Sequence, residues 1–331
     1  MTEDPWTVDR LLKTSGSFWQ SCTLHAAVVL EIFTLMGDDR VSADEVAEKL
    51  GADLRGVSML LNGLTAMGLL AKQQGRHTNT PESKNLLIKG SPDYLGHIIQ
   101  HHHHLVGAWF QLPEAVRMGK PVRQRSSPGE EMERESFLMG MFNLARGIAP
   151  IVAEQVDLAG RQNLLDLGGG PGTYAIYFCL ANPQLRATVY DLPTTRPFAL
   201  RTIEQFELAE RIEFVEGDYL SHELTGSYDV AWLSQILHGE GPEHCQEIIN
   251  KTVSVLESGG LIIIHDFILE DSMDGPLFPA LFALNMLVNT QNGQAYSQTQ
   301  IAEMLQTAGV NDIIRLPFKG PNDSGVMMGV V

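Results

Sequence analysis

Cysteine is scarce in this chain: three in 331 residues, Cys22, Cys179 and Cys245, far apart and without metal-ligand spacing. An odd, scattered set argues against a disulfide framework and reads as reduced thiols, as in the cytoplasm. Cations are also few. Lys and Arg number 23 against 40 Asp and Glu, a formal net charge of −17. That balance argues against a general nucleic-acid binder and against a polybasic membrane surface, since both need net cations. No run of about 18 apolar residues occurs, so no membrane span is expected. The first residues, Met1-Thr2-Glu3-Asp4-Pro5, are acidic where a secretory leader would be basic. There is no repeat of fixed period, and no low-complexity tract beyond the histidines His101 to His104. What is present is enough for a sizeable core: hydrophobic residues make up 44% and charged residues 19%. At about 150 residues per domain, the length suggests two domains.

The N-terminal part reads as helical. Ala26 to Met36 is apolar with few breaks and stops at Gly37-Asp38-Asp39. Ser42 with Glu45 three positions on forms a capping box, and Gly51 ends that helix. A second helix runs from Asp53 to Met67, followed by Leu69-Leu70-Ala71, a polar turn at Gln73 to Arg76, and His77-Thr78. Helix, tight turn, helix and small hairpin make a winged helix. Its would-be recognition helix carries one cation, Arg55, too few to reach phosphates and base edges. Packing or dimerisation is the expected role.

From Ser91 to about Gln162 the pattern is helical again, punctuated by Pro113, Pro121 and Pro128, with a polar surface loop at 119–129. His97, His101 and His104 share one helical face, but no carboxylate or thiol completes a site there, and no metal is expected. From Asn163 onward, strands alternate with helices. Strands are expected at 164–167, 187–190, 212–215, 228–233 and 261–267, with helices between them. This is an α/β, doubly wound, mostly parallel sheet whose ligands sit beyond the carboxyl ends of the strands.

The first strand runs into Gly168-Gly169-Gly170-Pro171-Gly172. Gly168 and Gly170 fit the first two places of G-x-G-x-x-G, but Thr173 stands at the third, and Pro171 removes an amide that would cradle a pyrophosphate. Asp191 ends the next strand, 21 residues beyond Gly170, where a carboxylate can accept from two ribose hydroxyls. That feature suits a nicotinamide and an adenosyl cofactor equally. His238 follows the fourth strand and Asp266 ends the fifth, so both lie at the ligand edge. His265, beside Asp266, points to the other face of the strand. Phe278, Phe282 and Met286 form one helical stripe, with Asn285 beside it as a polar group. Met139 and Phe142 lie in the helix before the sheet.

Three segments, 165–172, 189–193 and Glu216-Gly217-Asp218-Tyr219, resemble the cofactor motifs of S-adenosylmethionine-dependent O-methyltransferases. The match is closest to the subgroup of plant caffeate-type, acetylserotonin-type and bacterial polyketide or pigment enzymes. It extends over most of the chain, including 109–121, and the 42–80 region resembles that subgroup's winged-helix dimerisation domain. The resemblance implies a dimerisation domain at 1–100 and a methyltransferase domain at 101–331, with a helical linker over about 101–160. It implies S-adenosylmethionine as cofactor, contacted by Asp166, Gly168, Gly170, Asp191, Leu192, Gly217, Asp218, Tyr219 and Ser234. Asp191 would hold the ribose, Leu192 would pack near the adenine, and Asp218 and Tyr219 would border it. His238 would be the general base and Asp266 its orienting acid, in place of a glutamate. Met139, Phe142, Phe282, Asn285 and Met286 would line a pocket for an aromatic methyl acceptor.

The chain departs from the family pattern at three points. His238-Gly239-Glu240 replaces His-Asp-Trp, Ser234 replaces a lysine of plant members, and Ala295 stands where a second glutamate would be. The expected protein is a cytoplasmic homodimer that methylates a hydroxyl, with no metal, nucleic acid or membrane involved. The alternatives are methylation of carbon on a pigment or macrocycle, a nicotinamide oxidoreductase, and a ligand-responsive DNA-binding regulator.

Overall fold

The computed structural model describes residues 5–122 and 130–331. The chain forms two compact units, Met1–Leu105 and Val106–Val331. The elements of the first are α1 (Val8–Gly16), α2 (Phe18–Val29), α3 (Ile32–Met36), α4 (Ala43–Leu50), α5 (Leu54–Ala66), β1 (Leu70–Gln73), β2 (Arg76–Asn79) and α6 (Pro81–Leu87). Helix α7 (Gly96–Trp109) crosses the boundary. The second unit continues with α8 (Leu112–Met118), α9 (Glu130–Gln155), β3 (Asn163–Leu167), α10 (Thr173–Ala181), β4 (Arg186–Asp191), α11 (Arg196–Gln205) and β5 (Ile212–Glu216). Then come β6 (Tyr228–Ser234), α12 (Pro242–Ser254), β7 (Leu256–Phe267), α13 (Leu277–Asn289), α14 (Gln298–Thr307), β8 (Asn311–Arg315) and β9 (Ser324–Val330). Of the surface loop expected at 119–129, residues 123–129, Pro128 among them, lie outside the described residues.

In the first unit the capping box forms as its residues dictate. Glu45 N–H donates to Ser42 Oγ at 3.3 Å, and Ser42 N–H donates to Glu45 Oε2 at 2.6 Å. Such a cap contributes about 1 kcal/mol. Strands β1 and β2 pair antiparallel, and Val41 bridges His77 at their side. Phe33, Met36, Leu61, Leu64 and Leu70 fill the core between them. The single helix expected over 26–36 is broken instead, because Glu31 adopts φ +51° between α2 and α3. Along α1 no residue is buried, and Trp6, Val8, Leu11, Leu12 and Trp19 are exposed.

The second unit is a seven-stranded sheet of order β5-β4-β3-β6-β7-β9-β8. All pairs from β5 to β7 are parallel, and β9 runs antiparallel to β7 and β8. The central strands are buried on both faces, which is why they read as near-continuous apolar runs. Leu164, Val230, Trp232 and Ile263 pack on one face with α9 and α10. Leu165, Leu167, Leu233, Ile262 and Ile264 pack on the other with α12 and α14. By length and a mean hydropathy of 1.4, α9 from Glu133 to Gln155 could cross a membrane; its Ala149, Val152 and Ala153 lie in the first of these cores. Strand order reverses between β3 and β6, so the crevice beyond their carboxyl ends is where a ligand of such a sheet belongs.

Candidate active site

The chain turns from β3 into α10 through the glycine loop. Gly168 has φ +65°, and a Cβ there would lie 2.6 Å from Ile236 Cγ2 and 3.5 Å from the Tyr219 ring. Gly170 has φ +54°, with nothing within 4 Å of the place its Cβ would take. Open space therefore lies over the loop, and a ligand can approach its backbone closely. Asp166 lies beneath, only 1% exposed, with Oδ2 accepting from the Ala175 amide at 3.1 Å. Burial pushes its carboxyl up to about 7, opposed by the Ala175 hydrogen bond and reinforced by Asp191. Asp166, which the sequence motif groups with the cofactor contacts, is buried beneath the loop and tied to the first turn of α10.

Asp191 is already well engaged. Its Oδ2 accepts from Gly170 N–H at 2.8 Å, and its Oδ1 accepts from Leu192 N–H at 2.7 Å and Thr195 Oγ1 at 2.9 Å. A carboxylate has about four acceptor positions, so one remains here, on Oδ2. The expectation of two ribose hydrogen bonds reduces to one unless Asp191 gives up a present partner. Burial raises its pKa, although all three of those hydrogen bonds work against the rise. Leu192, next in the chain, is exposed.

Gly217 serves a neighbour: a Cβ there would fall 1.8 Å from the Tyr190 hydroxyl oxygen. The Asp218 carboxylate closes its own turn, accepting from Leu220 N–H and Ser221 Oγ, each at 2.9 Å. Ser234 faces elsewhere. Register pairs it with His265, and its Oγ lies 2.9 Å from His265 Nδ1. Burial takes His265 down to about 4, so it is a neutral ring bonded between Ser234, Tyr174 and Ser324.

An adenosyl cofactor brings ribose hydroxyl donors, a flat base and an amino-acid tail. The open space over Gly170, the remaining acceptor position on Asp191, the exposed Leu192 and the Tyr219 ring beside Gly168 fit such a group. Among the described residues, no cluster of three or more His, Cys, Asp or Glu could hold a metal ion.

His238 reaches the same edge from β6. Gln235 turns the chain at φ +61°, its N–H donating to His265 O at 2.8 Å, and a single 3₁₀ turn, Leu237–Gly239, follows. His238 Nδ1 lies 2.6 Å from Asp266 Oδ1, and its backbone N–H donates to Asp266 Oδ2 at 3.4 Å. Phe267 N–H also donates to Asp266 Oδ1, at 2.8 Å. Burial works to raise the Asp266 carboxyl. The His238 charge and hydrogen bond, the Phe267 amide and His265 outweigh it and hold the carboxyl below its ordinary value. An ionised Asp266 only accepts, so Nδ1 carries the proton between them, and in the neutral ring Nε2 is the nitrogen with the lone pair. The imidazole is therefore arranged to take a proton at Nε2.

Aromatic rings stand around it. Phe282 meets the imidazole edge-on at 4.8 Å, Phe267 stacks at 6.0 Å, and Phe267 lies 4.6 Å from Phe282 and 4.9 Å from Phe278. Of the residues expected to line the acceptor pocket, Phe282 is thus beside His238. Asn285 is half-buried on the same helix, α13, with Met286 buried beside it. Met139 is half-buried on α9, while Phe142 packs on Phe206, 6.5 Å between ring centres. Neither makes a ring contact with His238.

Sequence reading missed Ile236 against Gly168, Thr195 on Asp191, and Phe267 over the imidazole. The one usable signal was that Phe267 directly follows Asp266. It also missed Trp109, whose Nε1–H donates to Asn285 Oδ1 at 3.0 Å across 176 residues.

Comparison with known proteins gives the family. The O-methyltransferase domain matches residues 110–311, and the O-methyltransferase dimerisation domain matches residues 12–89. A 3-hydroxy-5-methyl-1-naphthoate 3-O-methyltransferase of Streptomyces sahachiroi is 32% identical, over 97% of this chain and 94% of its own. An O-methyltransferase family protein from Burkholderia thailandensis superposes with TM-score 0.88 at 30% identity, over 99% of this chain and 98% of its own. Human N-acetylserotonin methyltransferase in complex with S-adenosylmethionine superposes with TM-score 0.85 at 25% identity, over 100% and 99%. The chain belongs to the O-methyltransferase family and is an S-adenosylmethionine-dependent O-methyltransferase acting on a small-molecule acceptor.

Proposed function

We propose that this enzyme methylates a hydroxyl on an aromatic or polycyclic small molecule, with His238 as general base and Asp266 orienting it. The observation that carries the reading is the 2.6 Å His238–Asp266 pair set among Phe267, Phe278 and Phe282. A flat, hydroxylated ring suits such a wall, because aromatic rings pair edge-on or offset with one another. The name of the Streptomyces relative, a hydroxynaphthoate O-methyltransferase, supports the same class.

S-adenosylmethionine, when bound, supplies a methyl group activated on a sulfonium centre. Gly170 gives it room, Asp191 offers an acceptor to a ribose hydroxyl, and Leu192 and Tyr219 offer apolar surface. His238 Nε2 accepts the proton of the acceptor hydroxyl. Asp266 keeps Nδ1 protonated and steadies the positive charge that His238 then carries. The phenylalanine wall holds the acceptor ring and excludes water from the imidazole. Much of the acceleration would come from holding the reacting atoms in line.

The dimerisation domain supports a homodimer, and the exposed Trp6, Val8, Leu11, Leu12 and Trp19 are apolar surface that a second copy would cover. Three free thiols, Cys22, Cys179 and Cys245, support a reducing compartment, and we place the enzyme in the cytoplasm. The test is product analysis. Phenols and naphthols are incubated with isotopically labelled S-adenosylmethionine, and the product is read by mass and NMR. A labelled methyl ether is expected; a labelled ring-carbon methyl as the sole product would overturn the reading.

A further inference from the structure

We infer that Tyr296 and Gly293, on the stretch that follows α13, are positioning residues that clasp the single turn carrying His238 and hold the imidazole where it takes the proton. The inference rests on the reading of His238 as general base. It adds what keeps that base in place.

The turn needs support from outside. Leu237–Gly239 is one 3₁₀ turn, closed by Gly239 N–H to Ile236 O at 3.2 Å and Glu240 N–H to Leu237 O at 3.0 Å. Such turns have poorer hydrogen-bond geometry than an α-helix, and a single turn has little stability of its own. Asp266 reaches it from the end of β7, through the 2.6 Å contact with His238 Nδ1 and the longer one with the His238 amide. The chain beyond His238 is fixed by other groups.

The second support is Tyr296, whose hydroxyl donates to Glu240 O at 2.6 Å. Cys245 Sγ lies 3.4 Å from the same hydroxyl oxygen and 3.2 Å from Leu237 O, so both ends of the turn meet one buried nook. Tyr296 is 3% exposed and Cys245 is fully buried. Burial raises the pKa of both, so each keeps the proton it donates. Tyr296 is itself anchored. Its carbonyl accepts from Leu269 N–H at 2.9 Å, and the next residue, Ser297, bridges Leu269 in parallel. Leu269 follows Asp266 closely in the chain, so both supports trace back to the end of β7.

Gly293 completes the clasp by having no side chain. A Cβ there would lie 2.6 Å from His238 O and 2.9 Å from Gly239 C, both backbone atoms, and 2.5 Å from Thr290 Oγ1. Only a glycine lets this stretch lie so close to the turn. Its N–H donates to Thr290 Oγ1 at 3.0 Å, and that hydroxyl donates to Met286 O at 2.8 Å in the last turn of α13. Asn292 packs at Gly241 in the same way: a Cβ on Gly241 would come within 3.0 Å of Asn292 Cβ. Helix α13 carries Phe278 and Phe282, so one continuous stretch, 277–296, supplies both the aromatic wall beside the imidazole and the clasp on its backbone.

Two readouts test the clasp. The first is amide hydrogen exchange in the cofactor-free enzyme. Tyr296→Phe removes one hydroxyl and keeps the ring. It should speed exchange at Gly239 and Glu240 by about threefold to tenfold, the worth of one hydrogen bond, while the strands of the sheet keep their rates. The second is a double-mutant cycle in single turnover, on a naphthol that the wild type methylates. Tyr296→Phe should slow the reaction about threefold to tenfold and Gly293→Ala about tenfold to a hundredfold, with S-adenosylhomocysteine affinity within about twofold of wild type. Added to His238→Ala, Tyr296→Phe should cost nothing further, because no base is left to place. A hydroxyl that only stabilised the fold would cost the same in both backgrounds. Thermal melts confirm that each variant is folded.

Unchanged exchange at Gly239 and Glu240 in Tyr296→Phe overturns the inference. So does an equal loss of rate in the two backgrounds. Failure of the base assignment reads differently: His238→Ala would then keep near-wild-type turnover, while the exchange rates still report on the clasp.

Discussion

At the scale of single residues, chemistry-bearing side chains were legible where a strand end placed them. His238 follows β6 and Asp266 lies at the end of β7, and parallel neighbours bring these ends to one edge, so a contact 28 residues apart in sequence could be anticipated. The partners of those residues were not legible, because they come from elsewhere in the chain. Trp109 reaches Asn285 from 176 positions away, and Thr195 reaches Asp191 from the turn after β4. Asp191 shows what that costs a reading from motif alone. It ties the glycine loop to the end of β4 through Gly170, Leu192 and Thr195 before any ligand arrives. Asp191→Ala should weaken S-adenosylhomocysteine about tenfold to a hundredfold by calorimetry. Thr195→Ala, which removes one hydroxyl donor and leaves the two amides, should weaken it less. Equal losses would mean that the carboxylate acts on the loop alone.

At the scale of elements, strands β3, β4, β6 and β7 were readable because burial on both faces makes each a short apolar run, and the edge strand β5 by its two inward residues, Ile212 and Phe214. Strands β8 and β9 were not. β8 is mostly exposed, and β9, Ser324-Gly325-Val326-Met327-Met328-Gly329-Val330, carries two glycines and no clean alternation. Its place is set by pairing with β7 over seven residues, a tertiary effect. The break at Glu31 was invisible for a related reason: neither glycine nor asparagine marks that left-handed position. The turn after β5 is legible in retrospect. Gly217 is needed because Tyr190, buried on the neighbouring strand, occupies the space of a Cβ. Gly217→Ala should destabilise the protein by about 1–3 kcal/mol in urea unfolding, the usual cost of overpacking. An unchanged midpoint would show that the Tyr190 ring yields freely.

At the scale of the whole molecule, two buried groups set opposing responses to pH in the cofactor-free enzyme. His265 sits at about 4 when folded against an ordinary 6.5, so below 6.5 the unfolded chain takes up a proton that the folded one refuses. Stability on that account falls with acidification, toward a limit of about 3 kcal/mol. Asp166 does the reverse. At about 7 against an ordinary 3.8, it holds a proton when folded; its contribution is full below 3.8 and lost as pH rises through about 7. Between pH 4 and 6.5 the two slopes offset. Asp166→Asn preserves shape and removes one of them, so its unfolding free energy from urea titration should fall more steeply than wild type between pH 6.5 and 4.5, by about 1 kcal/mol per pH unit. Parallel curves would remove Asp166 from the account. The central claim concerns turnover by the assembled enzyme, and one comparison tests it most directly. Single-turnover methylation of a phenolic acceptor is measured for wild type and His238→Ala, with S-adenosylhomocysteine affinity measured in parallel. The account predicts a rate lower by about two to four orders of magnitude, with cofactor affinity within a few-fold of wild type. Near-wild-type turnover by His238→Ala would contradict it.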